Sequence, residues 1–126
     1  VAMALDLITL GTQRRDDHTF WRCRAGLLGR ELVHEGQMVG YYYVGNGAIG
    51  PATWTELRHA PALLAAAIGE AASTAPAVWL AIPGMNHTAL RYVLGCGLRL
   101  TGFAHLLTSA PLPRLPHYLP SGPALF

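Results

Sequence analysis

AVWLAIPGMNHTALRYVLGCGL, residues 77–98, is the stretch that decides the fold. Ala77 to Ile82 form one apolar run with no alternating polar position, the pattern of a strand buried on both faces. Pro83-Gly84 breaks that strand. Asn86 then stands at a helix N-cap position, where its side chain accepts from an orphan N–H. Ala89, Leu90, Val93 and Leu94 follow at helical spacing, Gly95 and Gly97 stop the helix, and Leu98-Arg99-Leu100 starts another extended run. The expected unit is strand, turn, capped helix, glycine stop, strand.

Working back from this unit, Leu57 or Pro61 to Ser73 reads as a helix with Ala60, Leu63, Leu64, Ala67, Ile68 and Ala71 on one face. Pro61 suits its first turn. Before it lie three segments of strand type: Leu27 to Glu35, Met38 to Val44 and Ala48 to Trp54. Tyr41 and Tyr43 share one face of the second and Tyr42 takes the other. Glu35-Gly36-Gln37 is a turn, and Gly45-Asn46-Gly47 contains Asn-Gly, the strongest short hairpin signal. Gly50-Pro51 predicts a bulge or strand end, because proline cannot donate to a ladder. Residues 3–10 alternate weakly and are expected to form a first strand. Thr12 or Asp16 is expected to cap a short helix reaching Arg24, anchored by Phe20 and Trp21. Downstream, Leu98 to Ser109 predicts a strand bent at Gly102. The tail PLPRLPHYLPSGPALF, residues 111–126, is proline-rich and should run extended or as polyproline II. The order is β-α-β-β-β-α-β-α-β, a mixed α+β sheet in which an antiparallel meander leads into βαβ. The strand at 77–82 should pair in parallel with the strand near 48–53 and diverge at Gly50-Pro51.

Strand, then N-x-x-A on a helix, then a glycine before a hydrophobic residue, resembles the last third of the GCN5-related N-acetyltransferase (GNAT) fold. The family pattern is Asn, Ala three on, often Tyr seven on, and Gly-Phe eleven and twelve on. Here Asn86, Ala89 and Gly97 match, while Val93 and Leu98 take the tyrosine and phenylalanine places. The resemblance covers about residues 27–109, with a short N-terminal helical region in place of the family's longer one. RRDDHTFW near the start, IGP at 49–51 and YLPSGPALF at the end look like a C-terminal domain of tandem GNAT proteins.

Composition bounds the rest. The chain has 126 residues, 52% apolar and only 13% charged, against a usual charged share of roughly 25%. A single domain of this size should bury only about two-thirds of its unfolded surface. The apolar excess therefore predicts a surface covered by a partner, either a second GNAT-like domain or another copy of the chain. All nine cations are arginines, scattered, and the net charge is +2. Without a basic stripe interleaved with aromatics, nucleic acid is not expected as a partner. The longest apolar runs fall short of the roughly 20 residues of a membrane span, and the first residues lack a basic n-region. A cytoplasmic location is expected, and with no initiator Met the chain reads as a piece of something longer. Cys23 and Cys96 are expected to be buried free thiols. Six dispersed histidines offer no metal-binding spacing.

The resemblance implies acetyl-CoA as cosubstrate and a small-molecule primary amine as acceptor, with direct attack and no covalent enzyme intermediate. Pantetheine would pair with the main chain of the third meander strand at Ala48, Ile49 and Gly50. The pyrophosphate would sit at the N-terminus of the next helix, where bare N–H groups and the dipole hold an anion. The family motif Q/R-x-x-G-x-G/A, registered on Leu63-Leu64, puts Thr55, Arg58 and Ala60 at its fixed positions, with His59 between the last two. Only Ala60 fits. Arg58 replaces the central glycine and has two readings: it crowds the phosphate path, or it supplies charge from the rim. Asn86 is either a cofactor ligand or a plain cap. The family acid would fall at Val93, which has no proton to give. Tyr92, about 100° round the helix, is the remaining catalytic candidate, its other reading being a packing or interface tyrosine. Glu31 and Glu35 read as solvated rim carboxylates, and His34 and His87 are the histidines nearest the presumed cleft. Two functions from different classes follow: an N-acetyltransferase, or a catalytically degenerate GNAT module that shapes an interface or substrate pocket for a partner. An unrelated α/β binding domain is a third.

Overall fold

The computed structural model describes residues 2–112 and 114–122. It is a mixed α+β fold of four α-helices and one five-stranded sheet. The meander consists of β1 (Leu28–His34), β2 (Gln37–Gly45) and β3 (Ala48–Trp54), all antiparallel. Asn46 and Gly47 form the β2–β3 turn with φ of 52° and 79°, the positive values a tight twist-matched hairpin requires. The expected bulge is present: Tyr42 pairs with Ala52 and Val44 with Ile49, so Gly50 and Pro51 together oppose Tyr43.

Two short helices, α1 (Ala2–Leu10) and α2 (Arg15–Cys23), cover one face of the meander, on which Ala2, Leu5, Trp21, Tyr41 and Tyr43 form one core. On the other face α3 (Ala60–Thr74) buries Ala60, Leu63, Leu64, Ala67 and Ala71 against Tyr42, Val44, Ile49, Ala52 and Trp54. Tyr42 therefore points opposite to Tyr41 and Tyr43, as strand alternation dictates. Tyr42 Oη donates to Glu70 at 3.0 Å. Arg30 holds the Glu70 carboxyl below its ordinary range, and burial with Glu70 pushes Tyr42 up to about 12.

After α3 comes β4 (Trp79–Leu80), parallel to β3 at Ala48↔Trp79 and Ile49↔Leu80. The parallel pair and its divergence near Gly50-Pro51 match expectation. Next is α4 (His87–Gly95), capped by Asn86, whose Oδ1 accepts from the Ala89 N–H at 3.1 Å. Leu98 N–H to Val93 O and Gly97 N–H to Leu94 O close its C-terminus as a Schellman motif. The last strand is β5 (Tyr118–Leu119), preceded by a 3-10 turn at Leu115–His117.

Several expectations are corrected. Residues 3–10 form α1, not a strand: Ala2, Leu5, Asp6 and Thr9 are its buried face, and i, i+3, i+4, i+7 is helical spacing. Helix α2 is N-capped by Arg14 without a side-chain bond, not by Thr12 or Asp16. Trp21 anchors it, while Phe20 is 53% exposed. The run 77–82 is not buried on both faces. Only Trp79 and Leu80 pair, Trp79 is 52% exposed, and Val78, Leu80 and Ile82 alone reach the core. The core they reach is the one built by α3 residues and Ala89 of α4, whereas α1 and α2 sit over the meander. Residues 98–109 carry no strand. The two-residue β4 offers almost no ladder to extend, and Phe103 and Leu107 are 89% and 91% exposed. The tail is not wholly extended, since it contains the 3-10 turn and β5. Its Pro113 and residues 123–126 lie outside the described residues. Both cysteines are exposed, not buried.

Candidate functional site

The outer edge of β3 is shared by two strands. Parallel β4 takes Ala48 and Ile49, and antiparallel β5 takes Ala52 and Thr53, opposite Leu119 and Tyr118. Gly50 lies between them with φ +129°, and a Cβ there would come 2.3 Å from Pro120 O. Only glycine lets the returning tail pass so close. Where β4 leaves the sheet, the chain's own C-terminal segment enters.

Hydrogen bonds from the rest of the fold hold that segment at Arg114, His117 and Tyr118. Asn86, fully buried, donates from Nδ2 to Tyr118 O at 3.0 Å while its Oδ1 caps α4. His117 Nδ1 donates to Trp54 O at 3.1 Å, and Arg114 Nη2 donates to Thr55 O at 3.0 Å. Thr53 Oγ1 lies 2.9 Å from His117 O. Arg14 Nη1 donates to the Tyr118 hydroxyl, and Arg14 Nε donates to Asp17 at 2.7 Å. Burial pushes Tyr118 up to about 12, with Arg14 opposing. Burial, then Arg114, lowers the His117 pKa below its ordinary 6.5.

The His117 shift has a sign that can be checked. A lowered histidine pKa means that, as pH falls through 6.5, the unfolded chain takes up the proton before the folded chain does. Stability is therefore present above that value and is lost as pH falls toward the folded pKa. Glu70, also lowered, acts in a separate window below its ordinary 4.5. We expect the wild-type melting temperature to fall between about pH 7 and about pH 5, and His117→Gln to flatten that slope. Matched melting curves for the two proteins measure it.

The residues expected at a cofactor are distributed around this edge. Ala48, Ile49 and Gly50 lie on β3 with their strand edge used by β4 and the tail. Leu57–His59 form a 3-10 turn, and Ala60, fully buried, begins α3. Arg58 is exposed and reaches the Glu56 carboxylate at 3.0 Å. His59 is the buried N-cap of α3, makes no side-chain cap bond, and packs 5.4 Å from the His34 ring. On α4, Val93 is buried and Tyr92 packs at the edge of the core, beside Cys96. Glu31 and Glu35 are exposed. Asn86 is thus the one expected ligand that meets β5 directly.

Sequence reasoning missed a buried polar network under α1 and α2. Asp6, fully buried, accepts from His18 Nε2 at 2.6 Å and from the Tyr41 hydroxyl at 2.5 Å. His18 Nδ1 lies 2.9 Å from the Tyr43 hydroxyl. Arg14 stacks over Trp21 at 4.8 Å and links this network to Tyr118. A signal was present: taken as a helix, residues 2, 5, 6 and 9 put a carboxylate and a hydroxyl on the buried face, and buried polar groups need partners.

No family model, no curated protein and no solved structure matches the chain. Among the described residues no helix is long and apolar enough to cross a membrane, and no group of three or more His, Cys, Asp or Glu is placed to hold a metal.

Proposed function

We propose that the chain is a catalytically degenerate GNAT-type module that serves a partner as an interaction domain. The observation that carries this reading is β5 on the free edge of β3, with Asn86 donating to the Tyr118 carbonyl. The resemblance puts pantetheine along the third meander strand at Ala48, Ile49 and Gly50. Here β4 pairs with Ala48 and Ile49, the tail passes Gly50 at Pro120, and β5 takes Ala52 and Thr53. The meander, α3, parallel β4 and capped α4 follow the order the resemblance implies. The acid position is the buried aliphatic Val93, and Arg58 is engaged by Glu56 in solvent. Acetyl transfer from acetyl-CoA to a primary amine would need β4 and the tail over Gly50 to give up this edge, and a different group to act as acid.

An interaction role also accounts for the apolar surface. Leu100, Phe103, Leu106 and Leu107 are 43–91% exposed along one segment. The occupant this reading favours is a second GNAT-like domain or a second copy. Sedimentation should show association that Phe103→Asp weakens. A monomer at high concentration with no effect of the substitution contradicts the interaction role.

Thermal melting with acetyl-CoA tests the closed slot. A ligand at 100 times its Kd would stabilise by about 2.7 kcal/mol. We expect no shift for the wild type and none for Arg58→Gly, because removing the arginine leaves β5 in place. A clear upward shift in either protein contradicts the reading.

A further inference from the structure

On the sheet face covered by α1 and α2, the same network ends at an open recess of about 420 Å³, within the size range of small-ligand sites. Tyr41, Tyr43 and Met38 contribute its floor and walls, with Gly29, Arg22 and Glu31 around them. Three charged residues line this recess: Arg22, Arg30 and Glu31. Arg30 is spent on Glu70 at 2.6 Å, and no ion pair within 4.0 Å joins Arg22 to Glu31 among the described residues. Arg22 interacts with the Tyr43 hydroxyl, and Glu31 has no hydrogen-bond partner among the described residues.

The buried network holds the Tyr43 hydroxyl in place. His18 bridges Asp6 and Tyr43, its Nδ1 2.9 Å from the Tyr43 oxygen. A hydroxyl oxygen has two lone pairs, so this one bond leaves it able to accept from another donor. Arg22, beside Tyr43 on the recess wall, carries five N–H groups that can serve a ligand. A ligand ammonium is a donor that fits between the Tyr43 oxygen and the Glu31 carboxylate.

We propose that this recess binds a small zwitterion of the α-amino acid type, its carboxylate on Arg22, its ammonium on Glu31 and Tyr43, and its apolar side chain against Tyr41 and Met38. A singly charged ligand satisfies one of the two charges and meets the other as an unpaired or repelling group. Bidentate guanidinium–carboxylate geometry supplies the orientation. This site lies on the opposite side of the sheet from α3, and its occupancy does not depend on whether acetyl-CoA binds.

Calorimetric titration of the full chain with L-phenylalanine and L-leucine tests the proposal, against phenethylamine and 3-phenylpropionate, which lack one charge each. We expect at least one amino acid to bind, tenfold or more tighter than either singly charged analogue. Arg22→Gln and Glu31→Gln, both at exposed positions, should each weaken that binding tenfold or more without changing the melting temperature. Tyr43→Phe should weaken it by a smaller factor. The absence of saturable binding by both amino acids up to about 10 mM overturns the proposal. So does equal affinity for an analogue, or binding indifferent to both charge-removing variants.

Discussion

Removing the Asp6 carboxylate is expected to have the largest effect of any single surface-neutral substitution in this chain. Asp6→Ala should destabilise the fold by about 3–5 kcal/mol, the cost of breaking a buried, hydrogen-bonded pair by deleting one partner. The reason is what remains behind. His18 and Tyr41 both lose their acceptor at fully or nearly fully buried positions. The desolvation of Tyr41, whose pKa is pushed far up by burial first and Asp6 second, is then no longer offset by a hydrogen bond. The pair is also what orients α1 and α2 on β2, since Asp6 comes from one helix, His18 from the other and Tyr41 from the strand. Urea denaturation measures the loss. Asp6→Asn, which keeps an acceptor oxygen, should cost less than half as much, and equal losses for the two variants would contradict the role given to the acceptor.

Asn86→Ala is expected to cost about 1–3.5 kcal/mol. Loss of a side-chain N-cap contributes about 0.5–2 kcal/mol. The lost Nδ2 bond to the Tyr118 carbonyl contributes about 0.5–1.5 kcal/mol more. The two effects are separable. Asn86→Asp keeps an Oδ1 acceptor for the Ala89 N–H but removes the donor to β5 and points a carboxylate oxygen at a carbonyl. It should preserve α4 helicity while loosening the tail. If Asn86→Asp were as stable as wild type, Asn86 would be a cap and nothing more.

These two residues also show what the sequence could and could not convey. Asn86 was legible as a cap because capping is local: one side chain, an N–H three residues on, and an apolar periodic run after it. The Asn-Gly hairpin, the face of α3, the split of Tyr42 from Tyr41 and Tyr43, and the parallel pairing of residues 79–80 with β3 were legible for the same reason. Each rests on spacing within one segment or on the handedness of a crossover. The second bond of Asn86, to a residue 32 positions away, has no local trace. Nor has β5, two residues set between prolines, which pairs only because β3 leaves an edge open beyond Gly50. Residues 3–10 were misread because short apolar stretches with an occasional polar residue fit both periods. The burial of Asp6 and Thr9 decides for the helix. Ala77 to Ile82 misled in the opposite sense: an unbroken apolar run implied two covered faces, yet only Val78, Leu80 and Ile82 reach the core. The exposed remainder of that run and the segment 98–109 are apolar without an intramolecular reason, and this is why a covering partner features in the proposed function.

Backbone amide hydrogen exchange, followed residue by residue with and without saturating acetyl-CoA, tests the closed edge of β3 most directly. If β5 fills that edge, amides hydrogen-bonded across the Ala52–Leu119 and Thr53–Tyr118 pairs exchange as slowly as those of the β2–β3 ladder, and acetyl-CoA leaves their rates unchanged. Rapid exchange across those pairs, or a change in their protection when acetyl-CoA is added, would contradict it.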